Sequence, residues 1–174
     1  MVSDKVKEIG AKAHEYEKKN GCSQAVLAAL QEGLSIGDLQ SFKAATALAG
    51  GAARRGETCG AVLGALMALG LYEGRERFED VAKLNSTVAD GITFSNEFMR
   101  RIEKEYDLKK PLNSTLCRDL LQAIYGRTWN LADAAERTDF FTNGGGHGDR
   151  GCPKVCEIAA ETVAELILKK SAAP

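Results

Sequence analysis

Apolar residues recur along this chain at steps of three and four, the spacing that places them on one face of an α-helix. Residues 4–19 read as a polar amphipathic helix. Residues 22–33 read as a second, with Ala25, Val26, Ala29 and Leu30 facing inward. A third is expected from about Asp38 to Ala49, opened by Ser35 and closed by Gly50-Gly51. The segment 59–72 is apolar nearly all round, which predicts a central helix. The longest helix is expected over 78–106, where Val81, Leu84, Val88, Ile92, Phe98, Ile102 and Tyr106 form the stripe and Gly91 offers a bend. Shorter helices follow at about 114–125 and from Pro153 to about Lys170. The last has proline in its favoured first turn and lysines at its negative end. No segment alternates as a strand does. Residues 126–150 read as a long loop with a short helix near 131–138, anchored by Trp129 and Phe140-Phe141. The expectation is an all-α single domain spanning 1–174, a bundle of six to seven helices.

Composition narrows the function classes. A formal net charge of -1, with 44% hydrophobic and 27% charged residues, describes an ordinary globular protein. It argues against a nucleic-acid partner, which calls for a basic surface. No stretch reaches the roughly 20 apolar residues that span a bilayer, so membrane insertion is not expected. The charged segment Met1–Lys19 lacks the apolar core of a signal peptide, and a cytoplasmic location is the expectation.

The five cysteines carry the chemistry. Cys22, Cys59, Cys117 and Cys152 each fall where a helix is expected to begin, and Cys156 lies one turn beyond Cys152. Helix starts present unpaired N–H groups and the positive end of the dipole, which favours the thiolate that attacks disulfides or binds metals. An odd number at wide spacing, without any C-x-x-C, suits neither a disulfide framework nor a zinc ribbon or thioredoxin site. Covalent haem attachment through C-x-x-C-H is absent. Thr58 is the expected N-cap of the central helix, which would set Cys59 in its first turn beside the positive charge of Arg54 and Arg55. Gly60 and Gly64 leave a smooth face one turn long, open either to a cofactor or to another helix's backbone. Cys152 and Cys156, at i and i+4, share a helical face and could share a metal; alternatively Cys156 is a small core residue. His147, in the glycine-rich run 144–151, is a candidate ligand or proton carrier, or else an exposed loop residue. That run contains G-x-G-x-x-G but follows no strand, so dinucleotide binding is not expected. His14 is expected at the surface.

Cys59-Gly60-Ala61-Val62-Leu63-Gly64 is a complete CGAxxG motif. Cys22 stands in Asn-x-Cys-Ser-Gln-Ala-Val, Cys117 in Leu-x-Ser-x-x-Cys-Arg-x-Leu-Leu, and Cys152 in Cys-Pro-Lys-Val. On these residues the chain resembles the family of redox-active proteins with a CGAxxG motif and four characteristic cysteines, over about residues 20 to 168. The same region is similar to part of the split-Soret cytochromes, which hold haems and a non-haem iron centre; haem does not carry over. The resemblance implies a shared role for Cys22, Cys59, Cys117 and Cys152, with Cys156 an addition.

The leading expectation is a redox-active protein that binds an iron–sulfur cluster or other thiolate-bound metal for electron transfer with a redox partner protein. Its site residues would be Cys22, Cys59, Cys117, Cys152 and Cys156 as ligands, with Gly60 and Gly64 against the cofactor. Two alternatives stand beside it. One is a metal-free thiol–disulfide protein with Cys59 as the catalytic, low-pKa thiol. The other is a non-catalytic, zinc-stabilised helical adaptor. The apolar helix 59–72 could also serve a homodimer contact. All the cysteine readings make one spatial demand: the helix starts must converge.

Overall fold

The computed structural model describes residues 2–172, and all eight α-helices among them pack without a strand. They are α1 (Val2–Glu17), α2 (Cys22–Leu34), α3 (Leu39–Ala44), α4 (Gly60–Glu73), α5 (Val81–Glu105), α6 (Cys117–Tyr125), α7 (Ala134–Thr142) and α8 (Cys152–Ser171). The helical class agrees with the periodicity, and the count exceeds the expected six to seven. The short helix expected near 131–138 within the long loop is present as α7, nine residues set slightly later and capped by Asp133, whose carboxylate accepts from the Ala135 and Glu136 amides. Only Phe140 of α7 is buried, so the apolar stripe is too thin to fix the bounds of the helix from the sequence. The third helix also differs. Ser35 closes α2 in a left-handed conformation, and Asp38 opens α3 in a capping box with Ser41. A 3-10 turn at Thr46–Leu48 finishes that segment.

The helix that lies at the centre is α8, which packs on α1, α2, α4 and α5. Cys156, Ala159, Ala160, Val163 and Ala164 are fully enclosed, and their small size lets four neighbours approach one axis. Alongside it, α4 packs on α2, α5 and α8, as its all-round apolarity predicts. Long α5 is only half engaged. Phe94, Phe98 and Ile102 are buried, whereas Val81, Val88 and Ile92, expected on the inner stripe, are exposed, and Thr87 and Gly91 face α4 on that half of the helix.

α1 lays Val6, Ile9, Ala13 and Glu17 against the bundle at steps of three and four. The stripe is apolar until its last member, a glutamate that is 3% exposed. His14, expected at the surface, is half-buried; its Nδ1 lies 2.8 Å from Glu157 Oε2, a contact that ties α1 to α8. A second, smaller cluster of Cys117, Leu121, Trp129, Leu131 and Phe140 closes one end of the bundle. Its rings meet at 5.0–5.7 Å, edge-on or tilted, the arrangement aromatic quadrupoles favour.

A cysteine-lined cavity at four helix starts

Backbone pairing brings two of the cysteines together. Thr58 and Leu116 form an isolated antiparallel bridge. Around it the Cys59 amide donates to the Thr115 carbonyl at 2.8 Å, and the Cys117 amide to the Glu57 carbonyl at 2.7 Å. The starts of α4 and α6 are thereby fixed side by side. Thr58 is committed to this bridge, so Cys59, not Thr58, occupies the N-cap position of α4.

The approach to Cys59 is a left-handed turn. Gly50, Gly51, Ala52, Ala53 and Arg54 run consecutively at φ between 50° and 74°. For the three residues with a Cβ this costs about 1–2 kcal/mol each. Such strain persists where surroundings over-determine it, and here amides of residues 53, 54, 56 and 57 are held by carbonyls of residues 47, 49, 50 and 51. Gly51 is indispensable: a Cβ there would lie 2.7 Å from Cys117 Cβ and 2.6 Å from the Glu57 carbonyl oxygen.

Gly60 and Gly64 receive α2. A Cβ on Gly60 would meet Cys22 Sγ at 2.3 Å, and one on Gly64 would meet the Ser23 carbonyl oxygen at 2.3 Å. The smooth face seen in the sequence thus accommodates a backbone and draws the Cys22 thiol up to the start of α4. From the other side, the glycine-rich run folds back as successive turns, and the Cys152 amide donates to the Gly146 carbonyl at 2.9 Å. Cys156 Sγ donates to the Cys22 carbonyl at 3.8 Å, joining α8 to the first residue of α2.

All five thiols line one cavity of about 50 Å³, together with Glu17, and with Arg54 and Arg137 as its basic residues. That volume holds a few water-sized atoms. All five cysteines are free thiols. Among the described residues, no three His, Cys, Asp or Glu side chains are gathered at metal-holding distances. The sulfurs line the walls.

The electrostatics reverse the expectation of easily ionised thiols. Burial pushes Cys59 up to about 12, with the neighbouring Cys117 adding to the shift; the Ala61 and Val62 amides offset part of it without forming a cap hydrogen bond. Burial likewise holds Cys117 up at about 12, and raises Cys22, Cys152 and Cys156 still further. A helix terminus contributes about 0.3–1 kcal/mol, less than one pKa unit, and cannot balance such desolvation. Burial thus opposes the ionisation that an attacking thiol at Cys59 would need.

Glu17 escaped the sequence reading. Burial raises its carboxyl to about 8, only partly offset by the Gly21 amide, and its Oε2 has no hydrogen-bond partner. Its signal was present: Glu17 continues the Val6–Ile9–Ala13 stripe by one further step of four, putting an acid at a core position. His147 is half-buried, its ring 4.2 Å from that of Phe141 and its Nε2 3.9 Å from Glu17 Oε1. Burial lowers its pKa, and Nε2 has no hydrogen-bond partner.

Over residues 20–166 the chain matches the family described as Putative redox-active protein (C_GCAxxG_C_C). The chain belongs to this family. Cys22, Cys59, Cys117, Cys152 and Cys156 all fall inside the span matched to the C_GCAxxG_C_C family, and Glu17 falls outside it. No curated protein and no solved structure matches the chain. Among the described residues, no helix is long and apolar enough to cross a membrane.

Proposed function

We propose that the cysteine-lined cavity binds a thiolate-ligated metal, an iron–sulfur centre being the first choice, and that the protein exchanges electrons through it with a partner. The observation that carries this reading is the convergence of five thiols, four on buried cysteines and one on the half-buried Cys152, from four helix starts on one small cavity. The donor set suits the group. Thiolates are the ligands of iron–sulfur centres, and Glu17 Oε2 is a buried carboxyl oxygen in the same cavity without a hydrogen-bond partner.

Bound there, the centre would supply reversible one-electron chemistry at a potential set by its surroundings. Cys22, Cys59, Cys117 and Cys152 are the ligands the family motif nominates, and Cys156 is a further donor on the same wall. Each gives up its proton on binding, and the raised thiol pKa values mean that uptake is favoured as pH rises. The amides at the start of α4 stabilise the resulting negative sulfur at Cys59. Trp129, Phe140 and Phe141 exclude water from one side, which shifts potential and slows loss of metal. The metal-free dithiol reading loses ground because burial moves Cys59 opposite to what an attacking thiol needs.

The test is protein purified without oxygen and assayed for iron, acid-labile sulfide and visible absorbance. Wild type is expected to be coloured and to carry both, with Cys59→Ser losing at least tenfold of the iron per chain. Colourless wild type that takes up neither iron nor sulfide on anaerobic reconstitution contradicts the reading.

A further inference from the structure

We infer that Glu17 is an oxygen ligand of the centre held by the cysteines, so that the site is a mixed thiolate–carboxylate one. The inference rests on the metal-binding reading and adds a donor from outside the family motif.

Three observations carry it. Glu17 lines the cavity that all five thiols line, and its side chain is 4% exposed. Its Oε2 is buried without any hydrogen-bond donor, although a buried carboxyl left unpaired costs several kcal/mol. The basic group nearest in the ion-pair geometry, His147 Nε2, is 3.9 Å away on the other oxygen, beyond hydrogen-bond reach. The acid is closed off from bulk solvent, and α1 delivers it to this position by continuing its core stripe. A cation in the cavity resolves the arrangement, because it pairs with the carboxylate and with the thiolates together. Sulfur with one oxygen donor suits iron, zinc or cobalt, the borderline metals, better than magnesium or calcium.

Cobalt(II) added alone under anaerobic conditions is the probe, since its ligand-field bands respond to coordination and its sulfur charge-transfer bands to thiolate ligation. The variants are Glu17→Gln and Glu17→Asp, compared with wild type. Glu17→Gln is expected to keep the charge-transfer bands, shift the ligand-field bands, and weaken affinity by about tenfold or more. Glu17→Asp, shortened by one methylene, is expected to shift the same bands by less. Identical spectra and affinity in wild type and Glu17→Gln overturn the inference while leaving the thiolate centre standing. Wild type that binds no cobalt overturns both. If Glu17→Gln does not fold, Glu17→Asp decides, and bands unchanged from wild type count against Glu17 as a ligand.

Discussion

Helix α4 ends on a buried carboxylate at one side of the bundle and begins at a cavity holding another on the opposite side; the two are treated differently. Glu73, the last residue of α4, is 8% exposed, and its Oε2 lies 2.5 Å from Lys170 Nζ at the C-terminal end of α8. The same ammonium also pairs with Asp90 of α5. Three helices are tied there by one lysine, which pairs with Oε2 of the acid while its Oε1 is buried without a hydrogen-bond partner. Glu17 is more deeply buried, has no such lysine, and faces five thiols that are themselves driven neutral by burial. Arg54 and Arg137 line the cavity of Glu17, yet the ion-pair contact of this acid is His147 Nε2 at 3.9 Å and not a clasp like that of Lys170. The Glu73 end reads as a structural clasp, and the Glu17 end as a binding site.

The largest expected effect concerns pH and the metal-free protein. Glu17 has its carboxyl raised from the model-peptide 4.5 to about 8 in the folded state. Between those values the folded chain holds a proton that the unfolded chain has lost, so stability falls as pH rises from about 4.5 to about 8. The full shift corresponds to roughly 4–5 kcal/mol. Denaturant unfolding of metal-free wild type and Glu17→Gln across this range should show the difference between them widening towards pH 8 in favour of the glutamine variant. Parallel pH profiles would erase the distinction between the two acids.

A smaller effect is expected at the clasp. Lys170→Met removes the partner of Glu73 and should destabilise the protein by about 1–2 kcal/mol, with no change in metal uptake. The loss falls below that of a fully buried pair because Lys170 is 36% exposed. Chemical denaturation at pH 7 measures the first, and metal content the second. A Lys170→Met protein that loses metal would mean that the two ends are coupled and the comparison is too simple.

Much of this was legible in the sequence. The helical class followed from the three-and-four spacing of Val26, Ala29 and Leu30 or of Phe98, Ile102 and Tyr106. The demand that Cys22, Cys59, Cys117 and Cys152 meet followed from their placing at helix starts. What escaped has physical causes. Only tertiary contact shows that Thr58 pairs with Leu116 and yields the N-cap position to Cys59. Helix-start reasoning favoured ionised thiols because the dipole is visible in sequence and desolvation is not. The outward turn of Val81, Val88 and Ile92 goes with Thr87, Asp90 and Gly91 facing α4 and α8, a choice of face that periodicity cannot report. Glu17 was overlooked because an acid near a helix end is ordinarily solvated; its position in the α1 stripe was the only sign.

The most direct test of the central claim is X-ray absorption at the metal edge of anaerobically loaded wild-type protein. The account predicts a first shell dominated by sulfur at about 2.3 Å, joined by a lighter oxygen scatterer. A shell of nitrogen and oxygen without sulfur would contradict it.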